Sequence, residues 1–196
     1  MHKHKIKITI FFIVGIIQLF TVFSMIHSHE KVLKNGTQYK MKTEAVDPYD
    51  PFRGRYIRLA VNNRLLYLPK NNNYKEGQIV YALLKVDKDG FVQIKSISRK
   101  KPNHNNYIKT KIIRLIYVWR ESKRIYKLKN ISLDLPFKRY YIEEGLAPKA
   151  EEAYMKQNRK DKQSAHITFR VLKGKAILEE LYIKNIPIKD YLSIMP

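Results

Sequence analysis

Gln78-Ile-Val-Tyr-Ala-Leu-Leu-Lys-Val86, Asp87-Lys-Asp-Gly90 and Phe91-Val-Gln-Ile-Lys-Ser-Ile-Ser98 read together as an antiparallel hairpin. Apolar residues recur at every second position on both sides, and Asp-Gly is the dipeptide that a tight reversal favours. The same pattern continues outward in both directions. Arg55–Val61 and Arg64–Leu68 read as strands around Asn62-Asn63, residues that tolerate positive φ. Tyr107–Arg120 and Arg124–Leu133 read as two more around Glu121-Ser122, and Ala165–Leu172, Lys173-Gly174 and Lys175–Ile183 make a second hairpin. One stretch departs. Ala147–Gln157 has Pro148 near its start and strong helix formers after it, with Ala150, Ala153, Tyr154 and Gln157 on one face. It is expected to be a helix packed on a sheet.

Upstream lies Ile8-Thr-Ile-Phe-Phe-Ile-Val-Gly-Ile-Ile-Gln-Leu-Phe-Thr-Val-Phe-Ser-Met-Ile26, a run without charge that follows Lys3, Lys5 and Lys7. As a helix it measures about 28 Å, close to the ~30 Å of a bilayer's hydrocarbon. It is apolar on every face and ends abruptly at His27-Ser28-His29-Glu30, which argues against a buried core helix. Residues 8–26 are therefore expected to cross a lipid bilayer once. Residues 1–7 form a basic tail, 27–42 a linker and 43–196 the folded domain. The competing reading is a signal peptide cleaved after Ser24, although Val22-Phe23-Ser24 lacks the usual Ala. The basic tail favours the inner side, which makes the domain extracytoplasmic, while Lys31, Lys34 and Lys40 weaken the asymmetry. The fold class is thus β-rich α+β: a single transmembrane helix, then an antiparallel β-sheet or sandwich ectodomain with one short helix.

The net charge of +22 raises the question of nucleic acid. Lys and Arg are dispersed, and the densest cluster, Arg99-Lys100-Lys101, falls in a turn before Pro102. Nucleic-acid proteins gather charge on one face or motif, so no nucleic-acid partner is expected. Attraction to anionic lipid or envelope polymers needs only net charge. The absence of cysteine removes disulfides, thiol catalysis and Cys-bound metals. His104 and His166 stand alone in the body, and no HExxH, Gly-rich phosphate loop or G-x-S-x-G elbow occurs. No metal or cofactor is expected.

Two segments match each other: Pro51-Phe-Arg-Gly-Arg-Tyr-Ile57 and Pro136-Phe-Lys-Arg-Tyr-Tyr-Ile142. Each precedes a hairpin by a similar interval. An internal two-fold repeat, over 47–115 and 130–196, is the candidate explanation, with a groove where the two loops meet.

At these motifs the chain resembles the GDYXXLXY domain family. Asp47-Pro-Tyr-Asp-Pro-Phe-Arg-Gly-Arg-Tyr-Ile-Arg-Leu59 is similar to the motif that names it, as are Val80–Phe91, Arg139–Gly145 with Glu151, and the terminal hairpin. Two positions depart: Arg55 stands where the motif has Asp, and Val61 where it has the last Tyr. The resemblance implies a membrane-anchored bacterial protein, often encoded beside a polytopic membrane protein, and no particular reaction.

The candidate site combines Asp47, Asp50, Arg53, Arg55 and Tyr56 with Lys138, Arg139, Tyr140, Tyr141, Glu143 and Glu144. Among these, Asp50, Arg53, Arg55, Tyr56, Arg139, Tyr140 and Glu144 are the candidate binding residues. Arginine forks grip carboxylate or phosphate in two places at once, and tyrosines flank them. The competing reading pairs Arg53 and Arg139 with Glu144 and Asp50 to fix loops. Adjacent carboxylates such as Glu143-Glu144 point to opposite faces of a strand and cannot converge on one bond. The first expectation is a non-enzymatic accessory protein with a polytopic membrane partner, against which Gly15, Gln18 and Thr21 could pack. The second is an envelope hydrolase using Asp50, Glu143 or Glu144.

Overall fold

The computed structural model describes residues 2–44, 56–61, 65, 73–120, 125–158 and 164–195. Its first element, α1 (His2–Asn35), carries the apolar run. Large apolar side chains stand exposed around the whole helix from Ile10 to Ile26, and Phe11 and Phe23 reach 74% and 75% exposure. Mean hydropathy reaches 2.3 within Thr9–Asn35, which is long and apolar enough to cross a membrane by length and composition.

The helix does not stop where the apolar run ends. Glu30 pairs with Lys34 at 3.5 Å, one turn apart, and Val32 is buried to 2% exposure. Gly36 closes the last turn by donating its N–H to the Val32 carbonyl at 2.8 Å. The linker expected over 27–42 is therefore absent. In its place α1 runs to Asn35 and β1 follows at once as Thr37–Glu44. Strand β1 alternates in burial: Tyr39, Met41 and Thr43 face the core, and Lys40, Lys42 and Glu44 face outward. Only two of its eight residues are strongly apolar, so period two was present and hydrophobicity was not.

The strands make two sheets and a ribbon, every ladder antiparallel. The five-stranded sheet is ordered β11-β10-β9-β1-β3. Its members besides β1 are β3 (Ala60–Val61), β9 (Ala165–Leu172), β10 (Lys175–Ile183) and β11 (Ile186–Pro187). The four-stranded sheet, β5-β4-β6-β7, comprises β4 (Ile79–Val86), β5 (Val92–Ser98), β6 (Tyr107–Arg120) and β7 (Ile125–Leu133). Strands β2 (Tyr56–Arg58) and β8 (Arg139–Tyr141) form the ribbon. Among the described residues an isolated parallel bridge, Lys40 to Phe91, and the Lys109 N–H donating to the Gly174 carbonyl connect the two sheets, and an apolar core runs beneath both and under the ribbon.

Helix α2 (Ala147–Gln157) buries Ala147, Ala150, Ala153 and Tyr154. The Tyr154 hydroxyl donates to the Glu44 carbonyl at 3.2 Å, and Asn158 Nδ2 donates to Thr43 Oγ1 at 3.1 Å. A short α3 (Ile188–Ser193) follows β11.

The single strand expected over Arg55–Val61 is two. Strand β2 pairs with β8, the chain breaks at Leu59, and β3 pairs with β1. Ile57 and Leu59 are both core residues, and the Leu59 N–H donates to the Lys138 carbonyl at 3.0 Å. The break lets the chain change partners without exposing either residue. Of Arg64–Leu68 only Leu65 is described; it is buried, and its N–H donates to Asn130 Oδ1. Its neighbours and Asn62-Asn63 lie outside the described residues.

The two hairpins share an irregularity. In β4–β5 the register slips where Leu83 faces Ser96 and Leu84 faces Ile94. In β9–β10 it slips where Thr168 faces Glu180 and Phe169 faces Leu178. Leu83 and Thr168 are separated by 85 residues, the spacing that also separates Pro51 from Pro136. One extra residue, Lys95 or Glu179, bulges from the second strand in each case. The described parts of the two matching segments pair with each other, and Tyr56 lies directly opposite Tyr141.

Candidate functional site

Alternation along three-residue strands sorts the ribbon into two faces. Tyr56, Arg58, Arg139 and Tyr141 point outward, and Ile57 and Tyr140 point inward. The register sets Tyr56 opposite Tyr141 and Arg58 opposite Arg139. The tyrosine rings meet edge to face at 5.8 Å, and the Arg139 guanidinium lies 4.7 Å from the centre of the Tyr56 ring. A hydrogen bond to Tyr141 raises the pKa of Arg139 further above its already high value, assisted by both phenols. Tyr141 is 66% exposed. The outward face is thus a permanently cationic, aromatic surface.

The inward face does something else. The buried Tyr140 hydroxyl donates to Glu180 Oε1 at 2.5 Å, and the same oxygen accepts from the Leu181 N–H at 2.8 Å. Burial and then the Glu180 carboxylate push the Tyr140 hydroxyl far above its usual range, so it remains a neutral donor. Tyr140 therefore ties the ribbon to β10 and does not share a surface with Arg139. Glu180, 40 residues away in sequence, has no local signal that could announce it.

The remaining expected residues scatter. Asp47, Asp50, Arg53 and Arg55 lie outside the described residues. Glu143 is exposed and pairs with Lys189 at 3.4 Å, Lys138 pairs with Asp134 at 2.5 Å, and Glu144 is exposed. Among the described residues no group of three or more His, Asp or Glu is placed to hold a metal ion.

Beside the bridge between sheets, His166 is buried, stacked on Tyr182 at 5.0 Å and met edge-on by Phe91 at 5.4 Å. Burial, then Lys40, lowers its pKa. The unfolded chain takes up this proton at its ordinary value of about 6.5, and the folded chain resists it. Stability is expected to fall as the pH drops below about 6.5, and to level off once folded His166 is itself protonated. Melting curves of the parent and His166→Phe at pH 7.5 and 5.0 check this. The variant should lose less on acidification; equal losses would remove His166 as a cause.

A family model described as GDYXXLXY protein matches residues 18–181. Comparisons with curated proteins and with solved structures give no match. The matched span runs from within α1 into β10 and so takes in the end of the apolar run, the ribbon, the four-stranded sheet and the five-stranded sheet short of β11. The chain belongs to the GDYXXLXY protein family.

Proposed function

We propose that this protein is a membrane-anchored, non-enzymatic accessory protein. In this reading α1 crosses the bilayer, with the folded domain extracytoplasmic. The outward face of the ribbon binds a carboxylate- or phosphate-bearing group on a polytopic membrane partner. Support for the anchor comes from the continuity of the helix. The apolar run passes without a break into the last turns of α1, which pack on the domain through Val32 and Gly36, so an uncleaved run would extend rigidly from the domain.

The observation that carries the binding reading is Arg58 directly across from Arg139. Like charges directly opposite on an antiparallel pair are destabilising. Among the described residues neither guanidinium has a carboxylate within ion-pair distance. An anion held between the two forks would relieve the repulsion, and the flanking tyrosines would supply rigid contact area of the kind that dominates interfaces.

The test separates stability from binding. Arg58→Glu creates an opposite-charge pair with Arg139 and is expected to stabilise the domain by about 0.2–1 kcal/mol. The same change should abolish co-purification of the polytopic partner from native membranes in mild detergent. Retention of the partner by a well-folded Arg58→Glu protein would exclude this face.

A further inference from the structure

We infer that the base of the domain, formed by the first turns of α1 beyond Ile26 and the β9–β10 turn, is a docking surface for anionic phospholipid headgroups. This inference rests on the proposed membrane anchor. Its first support is a fixed height. Ser28 lies two residues past Ile26, a rise of about 3 Å, and Lys31 lies about 7.5 Å past it. The headgroup layer on each side of a bilayer is roughly 5–8 Å deep. Lys175 Nζ donates to Ser28 Oγ at 2.8 Å, which brings the β9–β10 turn to the same level. The chain then climbs away. Gly36 packs against Arg170 and Val171, further from the turn than Ser28, and β1 continues from there. The other end of β10, at Lys184, stands about 25–30 Å along the strand from Lys175.

The second support is charge. Six cations surround this base, namely Lys31, Lys34, Lys109, Arg170, Lys173 and Lys175, against the carboxylates Glu30 and Glu179. Both acids are engaged locally: Glu30 by Lys34 at 3.5 Å, and Glu179 by Arg170 at 2.9 Å and Gln38 at 2.6 Å. Lys31, Lys173 and Lys175 have no carboxylate partner among the described residues. Lys173 and Gly174 hold φ of 50° and 84°, the tight type I′ geometry, so Lys173 stands exposed on a rigid tip. Uncompensated lysines held at headgroup depth attract anionic lipid over zwitterionic lipid.

The absence of cysteine allows a unique label. Lys109 is exposed, and its N–H bonds the Gly174 carbonyl, so Lys109→Cys places a fluorophore beside the turn. The labelled full-length chain is reconstituted in phosphatidylcholine vesicles containing a small fraction of nitroxide-headgroup phosphatidylglycerol or phosphatidylcholine. Quenching by the anionic lipid should exceed quenching by the neutral one about threefold or more at low salt. The ratio should collapse towards one in 0.5 M salt, where the screening length is about 4 Å. It should collapse equally in Lys31→Gln/Lys173→Asn/Lys175→Gln, where Asn keeps the turn. A ratio of one in the parent, or one unmoved by the triple change, overturns the inference while the anchor stands. A chain stripped from vesicles by alkaline carbonate overturns the anchor and this inference with it.

Discussion

Gly174→Ala is expected to melt well below Gly90→Ala, although the two glycines have nearly the same backbone conformation, with φ of 84° and 81°. Alanine pays the left-handed penalty of about 1–2 kcal/mol at either site. At Gly90 nothing lies within 4 Å of the added Cβ. At Gly174 the Cβ would fall 2.5 Å from Cε2 of Tyr107. Tyr107 is 1% exposed and wedged against Tyr81 at 5.4 Å, so its ring has no room to swing aside. Overpacking of this kind adds about 1–3 kcal/mol. The Gly174 carbonyl also accepts the Lys109 N–H at 2.8 Å, the link between the β9–β10 turn and the four-stranded sheet, and a shift large enough to relieve the clash would break it. The total at Gly174 is therefore about 2–5 kcal/mol, or several degrees at ~2–4 °C per kcal/mol for a chain of this size. Thermal melts of both variants decide the matter. Equal losses would mean that Tyr107 yields and that the two sheets are not held in register through this contact.

What could be read in the sequence follows from which signals are local. Helix α2 has the bounds expected from Pro148 and the spacing of Ala150, Ala153 and Tyr154, because helix start and face are written within a dozen residues. Both hairpins were legible because turn residues sit between alternating runs; β9 and β10 have the expected bounds, and the bulges inside them carry no composition mark. Strand β1 was missed because lysines occupy its outward positions and only Tyr39 and Met41 announce the inward ones. The switch of sheets at Leu59 and the bond from Tyr140 to Glu180 depend on partners 79 and 40 residues away, which periodicity cannot encode. For the candidate site, sequence reading put Tyr56, Arg139, Tyr140 and Tyr141 in one set and chose Tyr140, not Tyr141, as a binding residue. Which tyrosine faces out is fixed by the register of a short strand, and that register has no local signal. Arg58 was passed over for the same reason: only pairing with β8 sets it against Arg139.

Gly36→Ala is expected to loosen the join between helix and domain at a cost of about 2–3 kcal/mol, within the range for overpacking a filled site. Here the argument is contact rather than backbone freedom. An added Cβ would lie 2.4 Å from the Val32 carbonyl oxygen, 3.0 Å from Arg170 Cβ and 3.2 Å from the Val171 nitrogen. Two of these neighbours are backbone, and the third belongs to a side chain held by Glu179 at 2.9 Å and by the Gly36 carbonyl at 3.3 Å. None can retreat alone. Either the last turn of α1 lifts from β9, losing the Gly36–Val32 bond, or β1 slides away from Val171. The control is Gly15→Ala, where nothing lies within 4 Å and helix propensity favours alanine; its melting temperature should hold or rise slightly. Hydrogen exchange separates the two ways of yielding. Faster exchange confined to residues 27–36 marks a lifted helix end, whereas faster exchange along 37–43 marks a displaced strand. Either outcome with a lowered melting temperature supports a rigid join, because both require the contact at Gly36 to be closed. Parent-like melting and exchange in Gly36→Ala would mean slack at this point, and a slack join could not set the height of the β9–β10 turn above the apolar run.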